Sequence, residues 1–412
     1  MPVNLEKEIN LRERSTHSIA KSDFHSLVES PTLSAIVEAG VLSLVRSKTT
    51  PYGIRAGALV GEAILENGTR VVIKEKVAGA VSALLQWALP QDVREAEAPS
   101  GISPNSPVLE AYSAHFLDHL SNSLRFGRVK YYVDELRTSA TPRGRINVEK
   151  SLSLLARGKP GLLSYRCTRL SADNLPNRLL ALAISAVEAC ASGAATAPSL
   201  LERSRTYASL FEDVDAFTLD RLHVSQKANM FREVLSDSRI TGDLKSAIGY
   251  ARALVLHLGA WSEAPEELLP RTYFLNLEDL FEDAVGTVLS ELFTGRTVKG
   301  REIKRTLFEN MPRHYVVDPD IVITMNGTPR LVIDCKYKEL DGLPYHSDVY
   351  QLFSHCSALS VKRGILIYPG GAFQMRRLGL TASKVEIWWA TVRTINLSDD
   401  LKKIMKTAYR SY

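Results

Sequence analysis

Two aspartates and a lysine lie at the ends of two apolar, strand-like segments in the last third of the chain. Asp320 precedes residues 321–325, and Asp334 and Lys336 follow residues 331–333. Because positions i and i+2 of a strand share a face, Asp334 and Lys336 should lie side by side. Carboxylates at the ends of apolar strands are costly unless a partner holds them, and a divalent cation is the simplest such partner. The pattern therefore predicts a cation site.

Such a set of side chains suits the hydrolysis of a phosphodiester. That reaction needs a nucleophilic water, charge stabilisation at phosphorus and help for the leaving oxygen, all of which carboxylate-bound divalent ions can supply. Mg²⁺ takes few protein ligands, so Asp320 and Asp334 are enough to begin a site. The ammonium group of Lys336 could orient the attacking water or stabilise the developing charge. The side chain of Cys335 should point to the other face and pack beneath a helix.

The turn between the two strands sets a geometric condition on this site. A strict two-residue turn at Asn326-Gly327 would leave the aspartates on different faces of the hairpin. The site therefore predicts an odd-numbered loop over residues 326–328 or 325–329, which would place Asp320 opposite Asp334 at a Cβ separation of roughly 5 Å. Asp318 is an alternative to Asp320, but it precedes a proline and is more typical of a turn.

The elements around the hairpin supply further polar side chains. An amphipathic helix over residues 276–293 comes before it, and Glu282 lies beside the apolar stripe of that helix. A second helix is predicted to begin at Ser347 as N-cap, with Gln351 in its first turn. His346 and His355 flank this helix, and we expect structural roles for both because Mg²⁺ prefers oxygen ligands. Two strand-like segments, residues 364–368 and 385–392, complete an α/β unit.

The whole chain is predicted to be a multidomain α/β and α+β protein. Residues 1–100 form a small α+β domain with a hairpin near 58–76, and residues 101–264 form a mainly helical region with a strand and turn insertion. Residues 265–412 contain the candidate site, and the proline-rich residues 90–107 are the candidate linker. Four cations are either solvated charges or contacts with DNA or a partner: Arg143, Arg145, Lys304 and Arg305.

Composition restricts the class of protein more than its function. The 412 residues suggest two or three domains, and 45% hydrophobic with 24% charged residues excludes a fibrous or disordered chain. A net charge of +5 permits a nucleic-acid partner without requiring one. The four cysteines lack zinc-site spacing, which favours reduced thiols, and no apolar run reaches the ~18 residues of a membrane span. We therefore expect a cytoplasmic protein that does not contact a membrane.

The motifs in this order resemble the PD-(D/E)xK nuclease superfamily. Pro319-Asp320 is followed, after thirteen residues, by Asp334-Cys335-Lys336, and Glu282 and Gln351 occupy the positions of accessory motifs. The chain also resembles the McrC family, the nuclease subunits of McrBC modification-dependent restriction systems. That resemblance rests on five segments, residues 142–148, 173–180, 280–282, 332–338 and 347–352.

The resemblance implies a fold, a site and a cofactor. Residues 265–412 would form a restriction-endonuclease-like domain, with a mixed sheet flanked by helices. The implied catalytic residues are Asp320, Asp334, Lys336, Glu282 and Gln351. Mg²⁺, for which Mn²⁺ would substitute, would be held by Asp320, Asp334, Glu282 and the backbone carbonyl of Cys335.

The resemblance also implies a role in defence against foreign DNA. The chain would cut DNA while docked on a separate McrB-like AAA+ GTPase or ATPase ring that it stimulates. It has no G-x-x-x-x-G-K-[ST] segment, so we expect the partner, not this chain, to bind the nucleotide. Two alternatives remain open: a non-catalytic DNA-binding adaptor of such an assembly, and a stand-alone DNA repair nuclease.

Overall fold

The computed structural model describes residues 7–47, 50–77, 79–96, 108–193, 198–258, 272–293, 297–299, 305–308 and 314–409. Its contacts divide the chain into two compact units. The first contains Met1–Ala111, Gly193–Ala195 and His257–Tyr412, and the second contains Tyr112–Ser192 and Thr196–Leu256. The first and last predicted regions thus share one unit, while the three-part division into 1–100, 101–264 and 265–412 stays a prediction. The predicted mixture of helices and several sheets is confirmed.

The elements of the N-terminal part are β1 (Lys7–Arg12), β2 (Thr16–Ser18), α1 (Lys21–Val28), α2 (Pro31–Glu38), β3 (Leu42–Val45), β4 (Gly53–Ala56), β5 (Leu59–Ile64), β6 (Thr69–Lys74), α3 (Ala80–Leu85) and α4 (Gln91–Ala96). Those of the middle part, residues 108–253, are α5 (Val108–Leu124), β7 (Tyr131–Ser139), β8 (Arg145–Ile146), α6 (Val148–Ala156), β9 (Leu163–Ser171), α7 (Leu175–Gly193), α8 (Pro198–Ser209), α9 (Phe217–Asp220), α10 (Val224–Ser236) and α11 (Gly242–Ala253). Those of the C-terminal part are β10 (Thr272–Asn276), α12 (Leu277–Leu292), β11 (Thr297–Lys299), β12 (Arg305–Thr306), β13 (Val316–Val317), β14 (Ile321–Met325), β15 (Thr328–Cys335), α13 (His346–Ala358), β16 (Arg363–Pro369), β17 (Gln374–Leu380), β18 (Glu386–Val392) and α14 (Leu397–Tyr409).

The N-terminal part contains a four-stranded sheet in the order β1-β6-β5-β10. The predicted hairpin near residues 58–76 is confirmed as the antiparallel pair β5 and β6, and β1 runs parallel to β6. The fourth strand, β10, comes from the C-terminal part and pairs antiparallel with β5. Apolar side chains from this sheet, from α2 and from the small sheet β2-β4-β3 form one core, including Leu11, Leu33, Ile36, Ile54, Val71, Ile73 and Phe274.

The second unit is mainly helical around a three-stranded sheet. The predicted mainly helical character of this region is confirmed by α5, α7 and α11, the last continued by a π-helical turn over Leu254–Leu258. The sheet order is β7-β9-β8. Gly144 sits where a Cβ atom would lie 2.2 Å from the carbonyl oxygen of Arg166, so only glycine lets the chain pass this close to β9.

The C-terminal part is built on a six-stranded mixed sheet in the order β11-β14-β15-β16-β18-β17. Strands β15, β16 and β18 are mutually parallel, and the remaining pairs are antiparallel. Helix α13 packs on the sheet, and together they form one core that contains Val322, Val332, Leu352, Cys356, Leu366 and Trp389. Helix α12 packs on β15, β11 and α14. Parallel strands buried under helices explain the nearly continuous apolar run of β16. In the residues that the structure describes, no helix is both long and apolar enough to cross a membrane.

Candidate active site

The hairpin turn differs from the prediction. Met325 pairs with Thr328 across a two-residue turn, so the predicted odd-numbered loop is wrong. Asn326 and Gly327 have φ angles of 52° and 76°, the left-handed backbone that a type I′ hairpin turn requires. Asn-Gly is the dipeptide that favours this turn most strongly, and it prevails over the longer loop. Continued without interruption, this register would leave the two aspartates on different faces.

A β-bulge in β15 changes the register before the aspartates are reached. Thr324 pairs with Pro329, whereas Ile323 pairs with Leu331, so Arg330 is the extra residue of the bulge. One extra residue shifts every later side chain of the strand to the opposite face. The bulge thus places Asp320 and Asp334 on the same face, which the odd-numbered loop was expected to do.

Asp320 and Asp334 therefore lie across from each other. Ile321 pairs with Ile333, which places the two aspartates at the next position of the ladder. Oδ2 of Asp320 accepts a hydrogen bond of 2.6 Å from the backbone N–H of Cys335. The expected juxtaposition of the two carboxylates is thus present, and the backbone of both strands fixes it.

Asp334 is fully buried and forms an ion pair with Lys336. Its relative exposure is 0%, and its Oδ2 lies 2.7 Å from Nζ of Lys336. Burial raises the pKa of the Asp334 carboxyl more than the charge of Lys336 lowers it. Burial lowers the pKa of Lys336, but the charges of Asp334, Asp320 and Asp348 exceed this effect, so its pKa is raised. Lys336 is therefore a cation at neutral pH, and the second aspartate oxygen, Oδ1, has no hydrogen-bond partner among the described residues.

Two polar residues of α13 lie against this pair. His355 is buried, with Nδ1 at 3.7 Å from Oδ1 of Asp334. Burial and the charge of Lys336 lower its pKa to about 4, so the ring is neutral at neutral pH. Asp348 is buried and accepts hydrogen bonds from Nζ of Lys338 at 2.7 Å and from the hydroxyl of Tyr368 at 2.9 Å. Helix α13 is thus held to the strand ends by polar contacts.

The strand ends and the first turns of α12 open into one cleft of about 280 Å³. The lining residues are Glu278, Asp279, Glu282, Asp320, Cys335, Lys336, Tyr337, Lys338 and Gln351. Four of the five predicted catalytic residues line it, and the fifth, Asp334, lies buried beneath Lys336. Asp318 is exposed and does not line the cleft.

The two predicted site residues on helices, Glu282 of α12 and Gln351 of α13, differ in their exposure. Glu282 is half-buried on α12, whereas Gln351 is exposed at the mouth of the cleft. Helix α13 begins at His346 with Tyr345 as N-cap and without a side-chain cap, so the predicted N-cap at Ser347 is wrong and Gln351 lies in the second turn. The helix starts earlier because hydrogen bonds from Lys338 and Tyr368 hold Asp348 in the first turn.

The donor atoms around the cleft suit Mg²⁺. No cluster of three or more His, Cys, Asp or Glu side chains arranged for a metal is found in the described residues. Mg²⁺ nevertheless takes few protein ligands, and the oxygens of Asp320, Asp334 and the Cys335 carbonyl are of the type it prefers. Burial and the charges of Asp320, Glu282 and Asp334 raise the pKa of the Cys335 thiol, which shows how much negative charge converges here. These residues fit a magnesium site.

Other lining residues were missed in the sequence although they follow simple spacings. Glu278 precedes Glu282 by four positions on α12, which places both on one helix face. Lys338 follows Lys336 by two positions after β15. A spacing of four from Glu282 along its helix, and of two from Lys336 along its strand direction, would have found both residues.

The predicted DNA or partner contacts are spread over the chain. Arg143 and Arg145 are exposed in the second unit, where Arg145 of β8 pairs with Arg166. Arg305 is exposed on β12 in the first unit. Lys304 lies outside the described residues.

Comparison with known proteins identifies the family. The sequence model of the "McrBC 5-methylcytosine restriction system component" family matches residues 54–369. No curated protein gives a significant match. Among solved structures, a half-complex of Thermococcus gammatolerans McrB AAA+ hexamers with bound McrC is similar at 17% identity and a TM-score of 0.47, covering 96% of this chain and 100% of that chain. A Thermococcus gammatolerans McrBC complex is similar at 17% identity and a TM-score of 0.36, covering 70% of this chain and 89% of that chain. Because the family match spans well over half of its residues, this chain belongs to the family of McrBC 5-methylcytosine restriction system components.

Proposed function

We propose that this chain is the Mg²⁺-dependent DNA endonuclease subunit of a McrBC-type restriction system. The observation that carries the proposal is the position of Asp320 opposite Asp334, with Lys336 paired to Asp334 at the edge of an acidic cleft. The order of helix α12, hairpin β14-β15 and helix α13 supports a PD-(D/E)xK nuclease domain, and membership of the family supports the restriction role.

The chain's own side chains divide the chemistry among them. Asp320, Asp334, Glu282 and the carbonyl of Cys335 would hold the cation. When bound, Mg²⁺ supplies Lewis-acid stabilisation of the reacting phosphate. Lys336 stays protonated, because its pKa is raised by the surrounding carboxylates, so it stabilises negative charge and orients water instead of acting as a base. Gln351 at the cleft mouth can hydrogen-bond the attacking water or a phosphate oxygen.

We further propose that the chain docks on a McrB-like AAA+ GTPase or ATPase ring and stimulates it. The family membership supports this partner, and a similar solved assembly is described as McrB AAA+ hexamers with bound McrC. The 412 residues contain no G-x-x-x-x-G-K-[ST] segment, in keeping with nucleotide hydrolysis by the partner. DNA is then moved by the ring and cut by this chain.

The decisive experiment mixes the purified chain with DNA and Mg²⁺ or Mn²⁺, with and without the NTPase encoded beside it. Cleavage that needs the metal and Asp334, and that the NTPase stimulates, supports the proposal. DNA binding without cleavage under every metal and partner condition would instead identify a non-catalytic adaptor. Full cleavage of DNA with no stimulation by the NTPase would identify a stand-alone nuclease.

A further inference from the structure

We infer that the turn between β1 and β2 is part of the support of the nuclease cleft, with Arg14 as a positioning residue for α12. The inference rests on the proposed nuclease function. Arg12 ends β1, Glu13 and Arg14 follow it in this turn, and all three precede the segment that matches the family, residues 54–369. A role is thereby assigned to a part of the chain that the family match does not cover.

The first connection between the N-terminal sheet and the cleft is the backbone itself. Asn276 ends β10, where it pairs with Leu59 of β5, and it is also the N-cap of α12. Its side chain accepts a hydrogen bond of 3.0 Å from the backbone N–H of Glu278. No loop separates the sheet from the helix that presents Glu278 and Glu282 to the cleft. A shift of the N-terminal sheet is therefore transmitted directly to the first turn of α12.

The second connection is an ion pair between Arg14 and Glu278, a residue that lines the cleft. Arg14 has a φ angle of 55°, and its backbone N–H donates to the carbonyl of Gly57 at 2.8 Å. The backbone from which its side chain extends is therefore held by the turn. Both partners are partly exposed, at 28% and 43%, and exposed pairs add little to folding stability. The main effect of Arg14 should be to place and neutralise one carboxylate of an acidic cleft.

The third connection reaches the segment that follows β15. Nη2 of Arg12 lies 3.4 Å from Oε1 of Glu339 and donates to the carbonyl of Lys76 at 2.8 Å. Tyr337, which follows Lys336, is buried, with its ring 5.8 Å from that of Phe281 of α12 in an edge-to-face contact. The β1-β2 turn thus contacts both elements that frame the cleft, α12 and the chain just after Lys336.

This arrangement makes the turn a clamp that sets the distance between the acidic face of α12 and the ends of β14 and β15. Reactions that depend on placed carboxylates lose rate when those groups shift by about 1 Å, even if the altered residue is remote from the chemistry. Loss of the Arg14 charge should therefore lower the rate of cleavage more than it affects DNA binding or folding.

The test compares the wild-type chain with Arg14→Glu, Glu278→Arg, the double exchange of both, and Arg14→Lys. We expect each single reversal to lower kcat for DNA cleavage by roughly 10- to 100-fold with little change in KM, as a misplaced group does. The double exchange should recover most of this loss because the pair is restored with opposite sense. Arg14→Lys should stay close to wild type. Arg203→Glu, which breaks a comparable exposed pair with Asp118 in the second unit, is the matched control and should leave kcat unchanged.

Amide hydrogen exchange in residues 277–283 provides a readout that does not depend on cleavage. Arg14→Glu should raise exchange in this first part of α12, and the double exchange should return it to the wild-type level. Equal kcat and equal exchange in all variants would overturn the positioning role while leaving the nuclease proposal intact. If the wild-type chain cuts no DNA under any condition, the nuclease proposal fails, and the exchange comparison alone decides whether Arg14 positions α12.

Discussion

Oδ2 of Asp320 lies 2.6 Å from the backbone nitrogen of Cys335 and accepts its hydrogen bond, which ties the start of β14 to the end of β15. The contact holds one carboxylate by the main chain of the neighbouring strand. The other carboxylate, Asp334, is held by complete burial and by Lys336. Sites whose side chains are fixed by paired strands are preorganised for binding and catalysis. The same burial disfavours the charged form of Asp334.

Asp334→Asn should abolish cleavage without destabilising the fold. The amide cannot hold a cation as a carboxylate does, so we expect cleavage to fall by about 100-fold or more. Burial raises the pKa of Asp334, which means that its charged form is disfavoured in the folded state. A neutral side chain of the same shape should leave the free energy of unfolding in urea unchanged or higher.

Lys336→Met is the companion variant, and its effect on stability has the opposite sign. It leaves the carboxylate of Asp334 buried without its cation, which should lower the free energy of unfolding by about 3 kcal/mol. Cleavage should again be lost. If Asp334→Asn destabilised the chain as much as Lys336→Met, the site would be a structural ion pair and not a cation site.

Glu282→Gln should weaken Mg²⁺ binding and slow cleavage, and Gln351→Ala should have a smaller effect. Glu282 is half-buried and adds to the negative charge around Cys335, so its loss should raise the Mg²⁺ concentration for half-maximal cleavage and reduce the rate by roughly 10- to 100-fold. Gln351 is exposed, and its loss should reduce the rate less than the loss of Glu282 does. Titration of cleavage with Mg²⁺ and Mn²⁺ measures both effects.

Asp279→Asn is the control for Glu282, because Asp279 also lines the cleft but is exposed on α12. Its Mg²⁺ dependence should match that of the wild-type chain. If Asp279→Asn and Glu282→Gln shifted the metal dependence equally, the effect would reflect the general charge of the cleft, and Glu282 would lose its assigned place in the site.

Deletion of Arg330 should preserve cleavage, unlike most single deletions in a central strand. Removing one residue from a strand normally turns every later side chain to the other face. Here the missing residue would be the extra one of the bulge, so Ile323 can still pair with Leu331 and Asp320 can still lie opposite Asp334. We therefore expect the variant to retain cleavage. Loss of cleavage in a chain that still melts cooperatively would show that the bulge does more than set the register.

The bulge also shows where prediction from sequence ends. The apolar runs of β14 and β15, the stripe of α12 and the helix with Gln351 have clear periods, so their order and their convergence on one cleft could be predicted. The residues Thr328-Pro329-Arg330 are compatible with either a longer loop or a short turn and a bulge. The choice depends on how the twist of the turn matches the strands, which local spacing does not reveal.

Long-range and surface elements were missed for other reasons. Strand β10 pairs with β5, which lies far away in the sequence, and no local pattern specifies that partner. Strand β17 lies at the edge of the sheet, and its mostly exposed side chains lack the alternation that marks a half-buried strand. Helix α13 begins two residues earlier than a helix capped by Ser347 would, because the buried hydrogen bonds of Asp348 outweigh the cap.

Replacing Arg143 and Arg145 tests whether these two residues contact DNA or the partner NTPase. If both bind phosphates, replacing both with alanine should reduce the slope of log binding constant against log salt by about 2, since each phosphate contact contributes about 0.9. DNA binding measured by fluorescence anisotropy at several salt concentrations gives this slope. Arg169→Ala is the control, because its guanidinium is paired with Glu135 at 2.6 Å. An unchanged slope combined with weaker binding to the NTPase would assign these arginines to the partner.

Glu13, in the β1-β2 turn, should make the free energy of unfolding of the chain depend on pH. The residue is 1% exposed, and burial raises its pKa from 4.5 to about 7, although hydrogen bonding and charges from Lys76 and Arg14 oppose this. A raised pKa means that the folded state binds the proton more tightly than the unfolded state, so this contribution to stability is complete below pH 4.5 and is lost as the pH rises through about 7.

Glu13→Gln should therefore remove a pH-dependent loss of stability. The variant should match the wild-type chain near pH 4.5 and exceed its free energy of unfolding by up to about 3 kcal/mol at pH 8, as a difference of this size in pKa implies. Urea unfolding of both chains at pH 4.5 and pH 8 measures the effect. Tyr337→Phe removes a neighbouring buried hydroxyl but keeps the carboxyl, so it should retain the wild-type pH trend. A Glu13→Gln chain that is less stable than wild type at pH 8 would instead show that Glu13 is charged in the folded state and stabilised by Lys76 and Arg14.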